Sequence, residues 1–362
     1  MDFNIAAILT LDGVGNGAIY ALLALATVLL FAVTRVIFIP QGEFVAFGAL
    51  TFAMLQQGNP VGSMWQRHFD LPGTLWLLAV AALVAAGIDA SRAWRQGQPA
   101  RALREVATTL ALPAALVVLC LLANPRGWPM AAQVLLTLTI VTPLGPLVYR
   151  LAYARLADAS VLVLLIASLA LHFLLSGLGL LFFGPEGFRT APLARGSLTL
   201  PGGFPISGQV MLMLASAVVL SALFFLAFER TVAGKALRAT AVNRVGARLV
   251  GIRPARTALL AYTFASLLAG LIGVLVAPVT TIYYDSGFLI GLKAFVAAII
   301  GGLVSYPLTA VGALAVGVVE SFGSFWSGAL KDVIVFSLLI PVLLLRSVLV
   351  RQIEEEQEEA DV

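Results

Sequence analysis

The chain has 362 residues, 60% of them hydrophobic and 11% charged, with a net charge of +4 and a mean hydropathy of +1.01. Soluble globular chains are about one-quarter charged, so a soluble domain is excluded. The small positive excess sits in loops and gives no case for nucleic-acid binding.

Crossing a hydrocarbon core of ~30 Å takes about 20 apolar residues per helix, and several charge-free runs reach that length. Backbone groups in lipid must be satisfied within their own segment, and the alternation of a membrane barrel is absent, so the spans are expected to be helices. The fold class is therefore all-α, a polytopic transmembrane helical bundle of about ten to eleven membrane elements.

In chain order, the apolar elements fall at about 13–33, 36–57, 73–90, 107–122, 133–149, 161–182, 210–228, 257–277, 288–304, 308–326 and 332–347. The N-terminus carries Asp2 and Asp12 but no early Lys or Arg, so the first span is expected to be retained rather than cleaved as a signal peptide. The second element is interrupted by Pro40, Gln41, Gly42 and Glu43, leaving a plain helix and a broken or re-entrant element both open. Cys120 lies in a Leu, Val and Ala run and reads as a buried or lipid-facing thiol. Residues 183–209, rich in Gly and Pro, suit a short cap outside the membrane, and the stretch from Glu354 to Asp361 reads as an acidic, solvated tail.

Basic residues set the orientation. With the N-terminus outside, the inner loops hold sixteen: Arg35; Arg92, Arg95, Arg101 and Arg104; Arg150 and Arg155; seven between Glu229 and Arg256; and Arg346 and Arg351. The outer loops hold four, Arg67, Arg126, Arg189 and Arg195. The expectation is N-out, C-in, with Trp65, Trp76, Trp128 and Trp326 as anchors near span ends.

No catalytic constellation stands out. His68 and His172 are the only histidines, so with one cysteine no metal cluster of the usual spacing can be built. Gly234-Lys235 lacks the leading Gly and the following Ser or Thr of a phosphate loop, so any ATP hydrolysis belongs to another polypeptide. No cofactor is expected.

Three ionisable residues lie inside apolar elements: Glu43, Lys293 and Glu320. A charge at mid-bilayer costs roughly 2.5–3.5 kcal/mol on insertion scales, so such groups usually face the bundle interior or water. Lys293 lies six residues after Gly287 and Glu320 six before Trp326, each ~9 Å along its helix, so the two are placed to pair. A structural ion pair and a place on a translocation path both remain open. Gly270, Gly273, Ala298, Gly301, Gly302, Gly312, Ala313 and Gly317 read as tight packing within the chain or as a seam with a second subunit.

The basic stretch from Glu229 to Arg256 has helix-forming sequence over Ala236–Val250. Arg244 and Arg248 share one edge of the wheel, Ala241, Val242, Val245 and Leu249 the adjoining sector, and Arg238 intrudes there. It reads either as a topology signal or as a short cytoplasmic helix that docks into a partner.

Several stretches resemble the integral membrane permeases of branched-chain amino-acid ABC importers. Near the N-terminus these are Gly17 to Leu22 and then Pro40-Gln41-Gly42-Glu43-Phe44. Arg150 to Tyr153 with Arg155, and Leu165 to Ser168, are similar to the family's central turn. Gly234, Lys235, Arg238, Ala239, Asn243, Arg244, Arg248, Gly251 and Ile252 lie in a loop similar to the segment that engages the ATPase. Gly291 to Phe295, Ile300 to Gly302, Gly312, Ala313, Gly317 and Glu320 follow the C-terminal pattern.

The resemblance covers about 1–57 and 133–350 and implies a non-enzymatic, multi-pass subunit of a bacterial-type inner membrane. Its partners would be a second permease (in a homo- or heterodimer), two cytoplasmic ATPases, an extracytoplasmic substrate-binding protein and membrane lipid. ATP-driven closure of the ATPases would produce alternating access, with Gln41, Glu43, Lys293 and Glu320 as intramembrane polar candidates. Permeases for amides, urea, sugars or nucleosides, and an ion-coupled carrier, are the alternatives. Within a permease domain of 1–350, residues 71–131 read as a two-helix insertion, expected to be a lipid-facing accessory pair; 229–256 forms the coupling loop and 351–362 the tail. Val242 stands where the family commonly has an acid.

Overall fold

The computed structural model describes residues 3–57, 71–157, 159–200 and 204–345. Its helices are α1 (Phe3–Thr34), α2 (Gln41–Gln57), α3 (Gly73–Arg95), α4 (Pro99–Ala123), α5 (Met130–Val141) and α6 (Leu144–Val148), which runs into a π-turn at Tyr149–Tyr153. They continue with α7 (Val161–Phe183), α8 (Gly208–Arg230), α9 (Val232–Val242), α10 (Arg244–Leu249), α11 (Pro254–Val276), α12 (Ser286–Ile300), α13 (Tyr306–Trp326) and α14 (Lys331–Ser337). Among the described residues, eight segments are long and apolar enough to cross a membrane, counting Met130–Tyr153 as one. The three remaining apolar elements of the sequence correspond to α2, α12, and α14 with the helical turns at 339–345. Trp65, Arg67, His68, Arg346, Arg351 and the acidic tail lie outside the described residues.

The second element is a broken one. α1 ends at Thr34, Arg35 takes a left-handed φ of 60°, and the chain runs without helix to Pro40 before α2 starts. At 1.5 Å per residue α2 is ~25 Å long and α12 ~22 Å, both shorter than the hydrocarbon core. Every residue of α2 from Gln41 to Leu55 is buried. It is enclosed chiefly by α11, α12 and α5, with α7 beyond its first turn.

Close approach of backbones holds this centre together. A methyl group on Gly42 would overlap the carbonyl of Gly287, and one on Gly287 the carbonyl of Gly42, so the first turns of α2 and α12 touch main chain to main chain. Gly273 lies on the carbonyl of Val45 and Gly48 on that of Gly270, which seats α2 on α11. Along the α1–α13 seam, Gly13 and Gly17 face Gly317 and Leu314. Gly270, Gly273, Gly301, Gly312 and Gly317 therefore serve contacts within the chain. Lipid tails offer no hydrophobic drive between helices, so such van der Waals fit carries much of the association.

The expected lipid-facing pair needs correction. α4 is exposed along Leu103, Leu112, Val118 and Leu122, but α3 buries Leu75, Leu78 and Ala82 in the bundle. Gly73 backs onto Phe182, and Asp89 of α3 pairs with Arg150. The hairpin is thus half structural, because α3 has an interior face and α4 hardly any.

At the end where α8 begins, the anticipated cap is formed by a hairpin of β1 (Ser197–Leu200) and β2 (Phe204–Ser207), paired antiparallel. Phe188 bridges to Ile282, and the Arg189 Nε–H donates to the Pro278 carbonyl at 2.9 Å. Gln209 donates to the Leu275 carbonyl at 2.8 Å.

Gly42→Ala and Gly287→Ala are each expected to cost about 1–3 kcal/mol through overpacking. Gly177→Ala, in α7 with open space around it, should be neutral or slightly stabilising. Unfolding midpoints in detergent measure the difference.

Candidate functional site

Two polar centres lie inside the bundle. The first is at the start of α2, where Glu43 is wholly buried and its Oε1 sits 2.7 Å from His172 Nδ1 of α7. The His172 ring stacks on Phe288 of α12, with centroids 4.5 Å apart. A carboxylate in the first turn of a helix also meets the positive end of that helix's dipole. Two residues earlier, the Gln41 Oε1 accepts from Thr27 Oγ1 at 2.9 Å, and its Nε2 donates to the Leu23 carbonyl at 3.2 Å. Gln41 lines an almost wholly apolar cavity of about 300 Å3 with Phe38, Leu169, Phe288 and Phe295.

In the second centre, Lys293 of α12 and Glu320 of α13 form the anticipated pair, Nζ to Oε1 at 2.5 Å, with side chains 6% and 9% exposed. Two further groups join them. The Tyr20 hydroxyl of α1 donates to Glu320 Oε2 at 2.6 Å, and Asp332 Oδ1 of α14 lies 2.8 Å from Lys293 Nζ. Desolvating a charge costs several kcal/mol, and these contacts offset it by giving both Glu320 oxygens a donor.

Sequence spacing exposed the Lys293–Glu320 pair because both are charges at similar depths in apolar runs. It missed His172 as the partner of Glu43, 129 residues away, and Tyr20 as that of Glu320, 300 residues away. No local pattern carries such separations.

The basic loop is a pair of short helices, α9 and α10, rather than the single helix anticipated over Ala236–Val250. The Thr231 hydroxyl caps α9 by accepting from the Gly234 amide at 3.0 Å. Asn243 breaks the run with φ −150°, and its Oδ1 accepts from the amides of Val245 and Gly246 at 3.0 and 2.9 Å. Asn is a strong N-cap residue, so this break had a signal in the sequence. At the far end Gly251 (φ 85°) makes the left-handed turn, with Gly251 N–H to the Arg248 carbonyl and Ile252 N–H to the Ala247 carbonyl.

The loop residues divide by task. Gly234 packs directly on the main chain of Ala227 and Phe228, so it fixes α9 against α8. Arg244 is half-buried and donates to the Ala157 carbonyl at 3.2 Å, tying α10 to the turn after the π-helix. Arg238, which disturbed the amphipathic pattern, pairs with Glu229 at 3.1 Å. Lys235 and Arg248 are exposed, as are Val242 (85%), Val245 (67%), Leu249 (84%) and Val250 (75%). The module thus offers an apolar face edged by cations.

Lys293→Met is expected to destabilise by about 3–5 kcal/mol, since it strands buried carboxylates. Adding Glu320→Gln should recover part of that, and adding Asp332→Asn more. A coupling energy near zero in this cycle, read from detergent unfolding, would show that the groups do not interact.

Residues 108–343 match the family described as branched-chain amino acid transport system / permease component. The high-affinity branched-chain amino acid transport system permease protein LivH of Salmonella typhimurium is 25% identical over 92% of this chain and 91% of its own length. LivH of Escherichia coli is 29% identical over 62% of this chain and 76% of its own length. The high-affinity branched-chain amino acid transport system permease protein BraD of Pseudomonas aeruginosa is 29% identical over 60% of this chain and 73% of its own length. No solved structure matches the chain significantly. With the family match spanning well over half of its residues, the chain belongs to the permease-component family of branched-chain amino acid transport systems.

Proposed function

We propose that this chain is the membrane-spanning permease subunit of an ATP-binding-cassette importer for branched-chain or similar amino acids, working by alternating access. The family match over residues 108–343 carries this reading. As a transport subunit it performs no covalent chemistry, and it resides in the inner cell membrane as a multi-pass protein. Permeases of this kind work with ATPase and substrate-binding components. A second permease subunit completes the pathway in our reading.

The α9–α10 module is the proposed contact for the ATPase. A soluble partner that closes and opens needs a rigid, exposed lever, and both helices are capped, as a rigid lever requires. Val245, Leu249 and Val250 supply the apolar anchor, while Lys235 and Arg248 supply charge at its edge. In this division Gly234, Arg238, Asn243, Arg244 and Gly251 shape the module. The positive-inside count places it in the cytosol, with the N-terminus outside. An ion-coupled carrier has no use for such a face.

Val245→Asp/Leu249→Asp is expected to abolish ATP-dependent uptake in proteoliposomes containing the ATPases and binding protein, with membrane insertion and folded yield retained. Both residues are exposed, so little packing is lost. Arg244→Glu should instead lower the folded yield. Undiminished uptake in the double variant would refute the assignment.

A further inference from the structure

A cavity of about 330 Å3 lies between α1, α11, α12 and α13, at the end of the bundle that carries the β-hairpin cap. Its walls are of three kinds: Ile19, Val276, Leu289 and Ile290 are apolar, Asn16, Thr280, Thr281 and Ser286 are polar and neutral, and Lys293, Glu320 and Lys331 are charged. Asp332 is not itself in the wall but holds Lys293 from behind.

The charges balance as two cations and two carboxylates. Lys293 and Glu320 are almost fully buried, so these two ions are poorly hydrated when a ligand arrives, whereas Lys331 and Asp332 are partly exposed. A ligand of net charge would leave one of these ions unmatched. A neutral polar ligand such as a sugar could hydrogen-bond to the hydroxyl and amide groups of the wall but would bring no charge to set against either ion. A zwitterion matches both signs at once, its carboxylate toward a lysine and its ammonium toward a carboxylate. The adjoining aliphatic wall then suits a side chain without polar atoms.

We propose that this cavity is a substrate subsite for a zwitterionic aliphatic amino acid, with Lys293, Glu320 and Lys331 receiving its charged end and Ile19, Leu289 and Ile290 its side chain. This rests on the importer reading above and adds a place and an orientation for the cargo within this chain. Tyr20 is a positioning residue, since its hydroxyl holds Glu320 Oε2 and leaves the other oxygen to Lys293. The apolar cavity beside Gln41 is the weaker candidate, because nothing charged lines it.

Ser324 is exposed and lines the cavity, and Cys120 is the chain's only cysteine. Ser324→Cys in a Cys120→Ala background therefore places one thiol at the site. In the complete transporter, reconstituted without ATP, saturating L-leucine should slow modification of this thiol by a charged thiol reagent at least fivefold. 3-Methylbutylamine and 4-methylpentanoate, each lacking one of leucine's charges, should not slow it. Leu289→Ala should shift the ratio of leucine to valine uptake by severalfold. A conformational effect reached from elsewhere would leave that ratio unchanged. Intact leucine uptake with no protection by leucine, or equal protection by all three probes, overturns the subsite and leaves the importer reading standing. Absence of any ATP-dependent amino-acid uptake overturns both.

Discussion

The architecture depends on main-chain contact between α2 and the helices around it. α2 has no lipid-facing side over Gln41–Leu55, so its neighbours must close on it completely. Glycine is what permits this: at Gly42, Gly48, Gly273 and Gly287 the facing backbone occupies the space a side chain would need. In lipid the apolar effect does not distinguish helix from acyl chain, so surface fit has to supply the specificity. The same device repeats between α1 and α13. Together these seams fix α1, α2, α11, α12 and α13 as one packed unit, with α4, α7 and α8 mostly turned outward.

Both polar centres follow from that packing. Placing the first turn of α2 against that of α12 brings Glu43, His172 and Phe288 together. Seating α1 on α13 brings the Tyr20 hydroxyl to Glu320, whose other oxygen takes Lys293. Glu43 and Lys293 sit on the short helices α2 and α12, and such interrupted elements commonly line an internal cavity in transport proteins. Charges that are expensive in lipid are therefore held where protein surrounds them, with partners from different helices.

The surface module obeys a different rule. Its capped helices are fastened to the bundle by Gly234 packing and the Arg244 contact, yet its apolar residues stay uncovered. A single helix over Ala236–Val250 would have put Arg238 in the apolar sector. The Asn243 break removes that conflict by giving α9 and α10 separate axes, and Glu229 takes up Arg238.

What the sequence determined by itself was set by composition and by local pattern. Length and charge-free runs established the helical membrane class, and eleven apolar runs each correspond to a helical element. The Lys293–Glu320 pair was legible because charges in apolar segments are few and their depths can be counted. Tertiary structure alone decided which glycines touch which helix, that α3 is interior while α4 is not, and that Glu43 meets His172. It also separated the loop's shaping residues, such as Gly234 and Arg244, from its exposed ones. These depend on contacts between different helices, many of them far apart in the chain, or on which face of a helix a neighbour covers. An apolar run looks the same whether lipid or protein surrounds it, and only the packing tells them apart.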